Sequence, residues 1–276
     1  MYEFDAREHK AHIIQWIREK FNTYGNDKNA VIAISGGKDS SIVAALCVEA
    51  LGKDRVKGIL LPNHIQDDID CSLILVKALG IDYKIVNIGP TFDSIIEENR
   101  KSGIEPTTQA KNNLAARLRM VETFYYAQTC NGMPSCNSNL SECYIGWSTY
   151  GGDGFGSFAP LKDYTVTEVR QIGLACPFLP QGLVLKTPKD GLTDKSDEDN
   201  FGFSYEKDLD PYIRTGEISD MEIKAKIDRM HKVNQFKQEP VAKCESGLPI
   251  LGKMPPKTID ITSVNEHEVY TPPMFR

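Results

Sequence analysis

Residues 30–52, AVIAISGGKDSSIVAALCVEALG, decide the reading of this chain. Ala30–Ile34 is small or β-branched and predicts a buried parallel strand, and Ala44–Leu51 predicts a helix. Between them stands Ser35-Gly36-Gly37-Lys38-Asp39-Ser40. A strand that passes through a glycine-rich turn into a helix aims several backbone N–H groups and the positive helix end at one point. Such a turn is an anion site before any side chain is counted. Gly36 and Gly37 permit positive φ and a close phosphate approach. Ser35, Ser40 and Ser41 add hydroxyl donors, and Lys38 adds positive charge. Asp39 is the odd member: a carboxylate among phosphate oxygens is repelled unless a cation lies between them, which implies Mg²⁺. A βα turn with a serine cap and an acidic first turn would need no ligand. The complete string SGGKDS favours the ligand.

Two familiar phosphate loops fail on spacing. The P-loop needs Ser or Thr after Gly-Lys, and here Asp39 follows Lys38. The dinucleotide pattern GxGxxG is missing, even from the run Gly151–Gly156. The loop instead resembles the SGGxDS pyrophosphate loop of the ATP pyrophosphatase superfamily, which cleaves ATP between its α and β phosphates.

The chain has 276 residues and a net charge of −6, which fits one large α/β domain with an extension and argues against a nucleic-acid-coating surface. No apolar run is long enough for a membrane span, and MYEFDAREHKAHIIQW has no signal-peptide core. The seven cysteines (47, 71, 130, 136, 143, 176 and 244) form no CxxC pair, so a reducing, cytoplasmic setting is expected. Cys47 reads as a small buried hydrophobe.

The expected architecture is a doubly wound parallel sheet flanked by helices, a Rossmann-like ATP pyrophosphatase fold with its ligand beyond the strand C-termini. Strands are expected at 30–34, 56–61 and 83–88, with helices at 5–24, 40–51, 67–79, 109–128, 165–175 and 219–235. The first helix places Ile13, Ile14, Trp16, Ile17 and Phe21 on one face, and its His9 and His12 read as surface residues. Residues 186–202 are polar and broken by Pro and Gly, as in a lid, and their acidic cluster Asp194, Asp197, Glu198, Asp199 reads equally well as solvated loop. Residues 1–237 are expected to form the catalytic domain and 238–276 an extended proline-rich tail.

Further strings narrow the resemblance. Asn113-Leu114-Ala115-Ala116-Arg117-Leu118-Arg119-Met120 is similar to the Asn-x-x-x-Arg-x-Arg-Met helix of ammonia-dependent NAD synthetases. Asn139-Leu140-Ser141-Glu142, Gly146-Trp147-Ser148-Thr149, Asp153, Pro160-Leu161 and Thr165–Val169 resemble that family's next blocks. Lys186-Thr187-Pro188 and Asp197–Gly202 resemble its lid loop, and Tyr205 and Asp208 follow.

The resemblance implies a ligase that makes NAD from deamido-NAD, ATP and ammonia through an acyl adenylate. It implies ATP contacts at Ala33, Ile34, Ser35, Gly36, Gly37, Lys38, Asp39, Ser40 and Asn137. It implies Mg²⁺ on Asp39 and Glu142, and deamido-NAD contacts at Arg117, Asp153 and Lys237. Lys38 and Asp153 take catalytic roles, the latter beside the incoming ammonia, and a homodimer is implied. The chain departs from the family pattern at Tyr150 (for Lys or Arg), Ser157 (for Asp), Val166 (for Lys), Asn137 (for Thr) and Lys189 (for Ser or Thr), and Phe236 stands before Lys237 where a His is common. Two rival readings are another AMP-forming ligase, such as a tRNA-thiolating enzyme, and a nucleotide-binding homologue without catalysis. The first would call for a catalytic cysteine pair and a basic surface, neither of which is evident.

Overall fold

The computed structural model describes residues 3–186, 196–242 and 244. Two units are delimited, Met1–Gln238 and Glu239–Arg276, and the second, which holds most of the expected tail, lies almost wholly outside the described residues.

In chain order the first unit runs α1 (Ala6–Tyr24), β1 (Asn29–Ala33), α2 (Lys38–Leu51), β2 (Val56–Leu60), α3 (Ile69–Leu79), β3 (Asp82–Ile85), α4 (Gly89–Lys101), α5 (Thr108–Thr129), β4 (Gly132–Pro134) and α6 (Leu140–Ile145). It continues through α7 (Val166–Leu174), α8 (Gln181–Val184), α9 (Asp197–Phe201), α10 (Asp210–Thr215) and α11 (Met221–Asn234). The strands pair in parallel in the order β3-β2-β1-β4. The chain therefore winds one way from β1 and then returns to its other side. The gap between β1 and β4 is the switch point where such sheets bind ligands, and both site-bearing loops leave the sheet there.

Alternation along β1 fills both faces. Ala30 and Ile32 point into a core with Ile13, Ile17 and Phe21 of α1 and Ile42 and Leu46 of α2. Val31 points to the opposite face with Ile59, Leu118 and Ala127. A separate cluster of Ile145, Val166, Phe201, Phe203, Tyr205, Leu209 and Ile227 holds the C-terminal helices together. Cys47 is fully buried, as its apolar neighbours suggest, and burial pushes its thiol pKa up.

Three boundaries differ from expectation. Helix α2 begins at Lys38 with Gly37 as its cap, so Lys38 and Asp39 belong to the first helical turn and no serine caps it. The third strand ends at Ile85, because beyond it Asn87 turns the chain: its Oδ1 accepts from His64 N (3.0 Å) and Gly89 N (2.9 Å). Helix α4 then starts at Gly89-Pro90. It buries only Gly89 in full, with Phe92 and Ile95 packed at the edge of a core. His9 is also less free than expected, stacking on Phe4 at 4.6 Å and lying 3.3 Å from the Tyr164 hydroxyl.

Candidate active site

The pyrophosphate-type loop runs from the end of β1, where Ala33 and Ile34 leave the sheet, into α2. Only Gly36 uses positive φ (80°), and a Cβ there would lie 3.0 Å from Ser72 Oγ and 3.1 Å from Cys71 Cβ. Gly37 is extended instead. The serines hold the loop's shape. The Ser35 N–H donates to Ser40 Oγ at 3.3 Å, the two hydroxyls lie 3.1 Å apart, Gly37 N–H donates to Ser35 Oγ at 3.2 Å, and Ser41 Oγ donates to Gly37 O at 2.7 Å. Asn137, beyond β4, donates to Ala33 O at 3.1 Å and accepts the Ser135 hydroxyl at 2.7 Å, pinning the second loop to the first.

Beside this loop lie the carboxylates. Lys38 is almost fully buried with its Nζ 2.6 Å from Asp39 Oδ2. Burial opposes its charge, but the fields of Asp39, Glu142 and Asp197 outweigh it and raise its pKa. Asp39 and Glu142, from distant parts of the sequence, are joined by Asn139. Its Nδ2 donates to Asp39 Oδ1 at 3.2 Å, its N–H to Glu142 Oε2 at 3.3 Å, and its Oδ1 accepts Glu142 N at 3.0 Å. Burial first, then the Asp39 charge, push Glu142 up to about 8 against the pull of Lys38. Two neighbouring oxygen-donor carboxylates, whose repulsion either a proton or a cation relieves, suit a hard divalent ion. Among the described residues no group of three or more acids, histidines or cysteines forms a metal cage.

Asp197 is not solvated loop. It is 4% exposed in the first turn of α9, accepts from the Tyr205 hydroxyl at 3.4 Å and acts electrostatically on Lys38 and Glu142. Glu198 accepts Tyr205 N at 2.7 Å, and Asp199 pairs with Ser196 in a capping box. Asp194 and Lys189 lie outside the described residues, as does the stretch 187–195 that the lid reading covers.

A second centre surrounds Asp153. Its surface reaches solvent, yet neighbouring protein atoms strip part of the carboxylate's hydration. Lost hydration raises its pKa, moderated by the Thr149 N–H at 2.8 Å and by the charges of Lys237 and Arg119. Arg119 is largely enclosed and donates to Leu61 O at 3.1 Å. The loop 146–153 that carries Asp153 is tied from two sides. Arg117 donates to Tyr150 O (3.3 and 3.2 Å) and Thr149 Oγ1 donates to Asn113 Oδ1 at 2.9 Å. Lys237 Nζ donates to Gly146 O (2.7 Å) and Ser148 O (3.0 Å) from the turn after α11. Gly146 has φ 68°, and a Cβ on it would lie 2.1 Å from Asn234 Cβ, so no other residue lets α11 approach α6 here. Arg117, Asp153 and Lys237 are thus gathered around one loop. Asn139, Arg119 and Asp197 are additional to the expected site residues. The spacing Asn139-x-x-Glu142 reads as a capping box and could have revealed the first.

A family model described as NAD synthase matches residues 10–246. The chain belongs to the NAD synthase family. The NH(3)-dependent NAD(+) synthetase of Pyrococcus furiosus is 36% identical over 196 residues, 70% of this chain and 72% of that protein. The solved NMN synthetase from Francisella tularensis superposes with a TM-score of 0.80 at 26% identity, over 88% of this chain and 99% of that one. The NH3-dependent NAD synthetase from Campylobacter jejuni, in complex with the nitrate ion, gives 0.71 at 25% identity, over 88% and 100%. In this NAD synthase the departures have distinct surroundings. Val166 is buried in the C-terminal core, Ser157 is exposed with its N–H donating to Pro134 O at 2.8 Å, and Tyr150 lies exposed on the loop that carries Asp153.

Proposed function

We propose that this NAD synthase uses ATP to amidate deamido-NAD with ammonia, giving NAD, AMP and pyrophosphate. The observation that carries the reading is the convergence of Asp39 and Glu142, through Asn139, beside the Ser35–Ser40 loop. The nicotinate carboxylate attacks the α-phosphorus and pyrophosphate leaves, forming an acyl adenylate. Ammonia then attacks the acyl carbon and AMP departs. Backbone N–H groups of the loop and the Lys38 ammonium cradle the departing phosphates. Mg²⁺, held by Asp39 and Glu142, would supply neutralisation between those carboxylates and the phosphates. Asp153, with its raised pKa, holds ammonium and takes one proton from it before the freed lone pair attacks, and the second proton leaves to the AMP phosphate or to water. The planar fork of Arg117 suits a phosphate or carboxylate of the dinucleotide, and Lys237 adds a second cation.

Residues 1–237 are the catalytic domain on this reading, with 238–276 as an appendage. A homodimer is supported by Val121 and Tyr125, exposed one helical turn apart on α5. A cytoplasmic setting is supported by seven free thiols. A second substrate reading, amidation of the mononucleotide acid to NMN, is favoured by the NMN synthetase superposition at a TM-score of 0.80 against 0.71.

One experiment tests these readings together. The purified chain is incubated with ATP, Mg²⁺, ammonium and either deamido-NAD or nicotinate mononucleotide, with phosphorus NMR of the products. NAD, AMP and pyrophosphate are expected, with little turnover when glutamine alone replaces ammonium. A higher kcat/KM for the mononucleotide moves the assignment to the second reading. ADP and orthophosphate as stoichiometric products would refute both.

A further inference from the structure

Two aromatic side chains, one on the loop that carries Asp153 and one in the turn that carries Lys237, meet without being packed away. The rings of Tyr150 and Phe236 have centroids 5.6 Å apart at an interplanar angle of 54°. They remain 46% and 55% exposed. A single exposed aromatic needs no explanation, but this pair is assembled from distant parts of the chain and fixed by the site itself. Arg117 holds the carbonyl of Tyr150, and Lys237, the residue after Phe236, holds the carbonyls of Gly146 and Ser148. Thr149, the residue before Tyr150, donates its N–H to Asp153. The pair is therefore tethered to all three residues assigned to the nicotinate-bearing substrate.

We propose that Tyr150 and Phe236 form the platform that receives the pyridinium ring of that substrate and selects it by its charge. The proposal rests on the amidation reading and names the residues that recognise its ring. A nicotinate ring attached to ribose is quaternised at nitrogen and permanently cationic. Aromatic faces attract such a cation through their quadrupole, most strongly where water is partly displaced. The ring's own carboxylate is coplanar with it, so a ring held against this platform has its reacting group oriented as well. Asp153, Arg117 and Lys237 are tied to the same loop. The adenine of ATP is a poorer occupant, because it is uncharged and its phosphates belong at the Ser35–Ser40 loop.

The test compares deamido-NAD with its reduced form, whose dihydropyridine ring is neutral. Affinities are measured by calorimetry with Mg²⁺ and α,β-methylene ATP present. The wild-type chain should bind the oxidised form more tightly. Tyr150→Leu and Phe236→Leu should each weaken the oxidised form by roughly 3- to 30-fold, leave the reduced form nearly unchanged and preserve the ATP KM. Tyr150→Phe, which keeps the ring, should restore the discrimination. Leucine variants that retain the wild-type preference would overturn the platform. So would equal losses for both forms with a raised ATP KM, which would mean that the pair only braces the loop. A wild-type chain that binds neither form and makes neither NAD nor NMN would refute the amidation reading, and this inference with it.

Discussion

Asp39 illustrates how one residue can carry an inference. A carboxylate in the first turn of an anion-binding helix is an electrostatic contradiction, and its contacts show how the protein manages it: Lys38 on one oxygen, Asn139 on the other. The contradiction was visible in the sequence because Asp39 sits inside the loop. Glu142 was visible only through the family resemblance, since nothing local distinguishes it from a surface glutamate. If both act through one Mg²⁺, Asp39→Asn and Glu142→Gln should each lower turnover at limiting Mg²⁺ by at least about tenfold, a loss of about 1.4 kcal/mol or more. Excess Mg²⁺ should partly rescue each, and the double variant should lose less than the product of the singles. Multiplicative losses with unaltered Mg²⁺ dependence would separate the two residues.

The elements that present these side chains are joined by a buried polar knot that sequence patterning did not expose. Asp210, at the start of α10, accepts the Ser141 hydroxyl at 2.6 Å on one oxygen. On the other it accepts the Thr167 N–H at 2.8 Å and hydroxyl at 2.6 Å. Ser141 Oγ in turn accepts Val166 N at 2.9 Å, so α6, α7 and α10 meet at one carboxylate. Ser141 immediately precedes Glu142, and the knot therefore also sets where α6 presents Glu142. Asp210→Ala leaves buried donors without an acceptor and should cost about 1–3 kcal/mol in urea unfolding. The Mg²⁺ requirement should rise with it. A variant with lowered stability but an unchanged Mg²⁺ requirement would confine Asp210 to packing. An aspartate before proline at a helix start reads as an ordinary turn signal, and only its distant partners reveal the role.

At the scale of the whole molecule, the crowding of carboxylates should appear as a pH dependence of folding. Glu142 is raised from an ordinary 4.5 to about 8. Between those values the unfolded chain has lost this proton and the folded chain retains it. The folded state thus binds more protons, and its stability falls as pH rises through the window. With chelator present, the wild-type Tm should fall from pH 5 to 8 more steeply than that of Glu142→Gln. Mg²⁺ with ATP should offset the fall at the alkaline end, since a ligand that binds only the folded state stabilises it. Parallel Tm curves for the two chains would show that Glu142 titrates normally.

The alternation of apolar strands with amphipathic helices determined the parallel sheet, because burying both faces of a sheet under helices leaves few other arrangements for such a pattern. The loop chemistry of Ser35–Ser40 determined the proposed anion site, because its donors are neighbours along the chain. Helix α4 was not anticipated although its apolar residues keep a helical period, because Gly89-Pro90 at its start reads equally well as a turn. Nor could the sequence show that Asp197 leaves solvent for the Lys38 cluster or that Arg119 faces Asp153. It gave no sign that Tyr150 meets Phe236. These relations depend on where loops return after crossing the sheet at the β1–β4 switch point. Electrostatic and aromatic contacts act over a few ångströms in space, whatever the separation along the chain, so only the tertiary structure decided them.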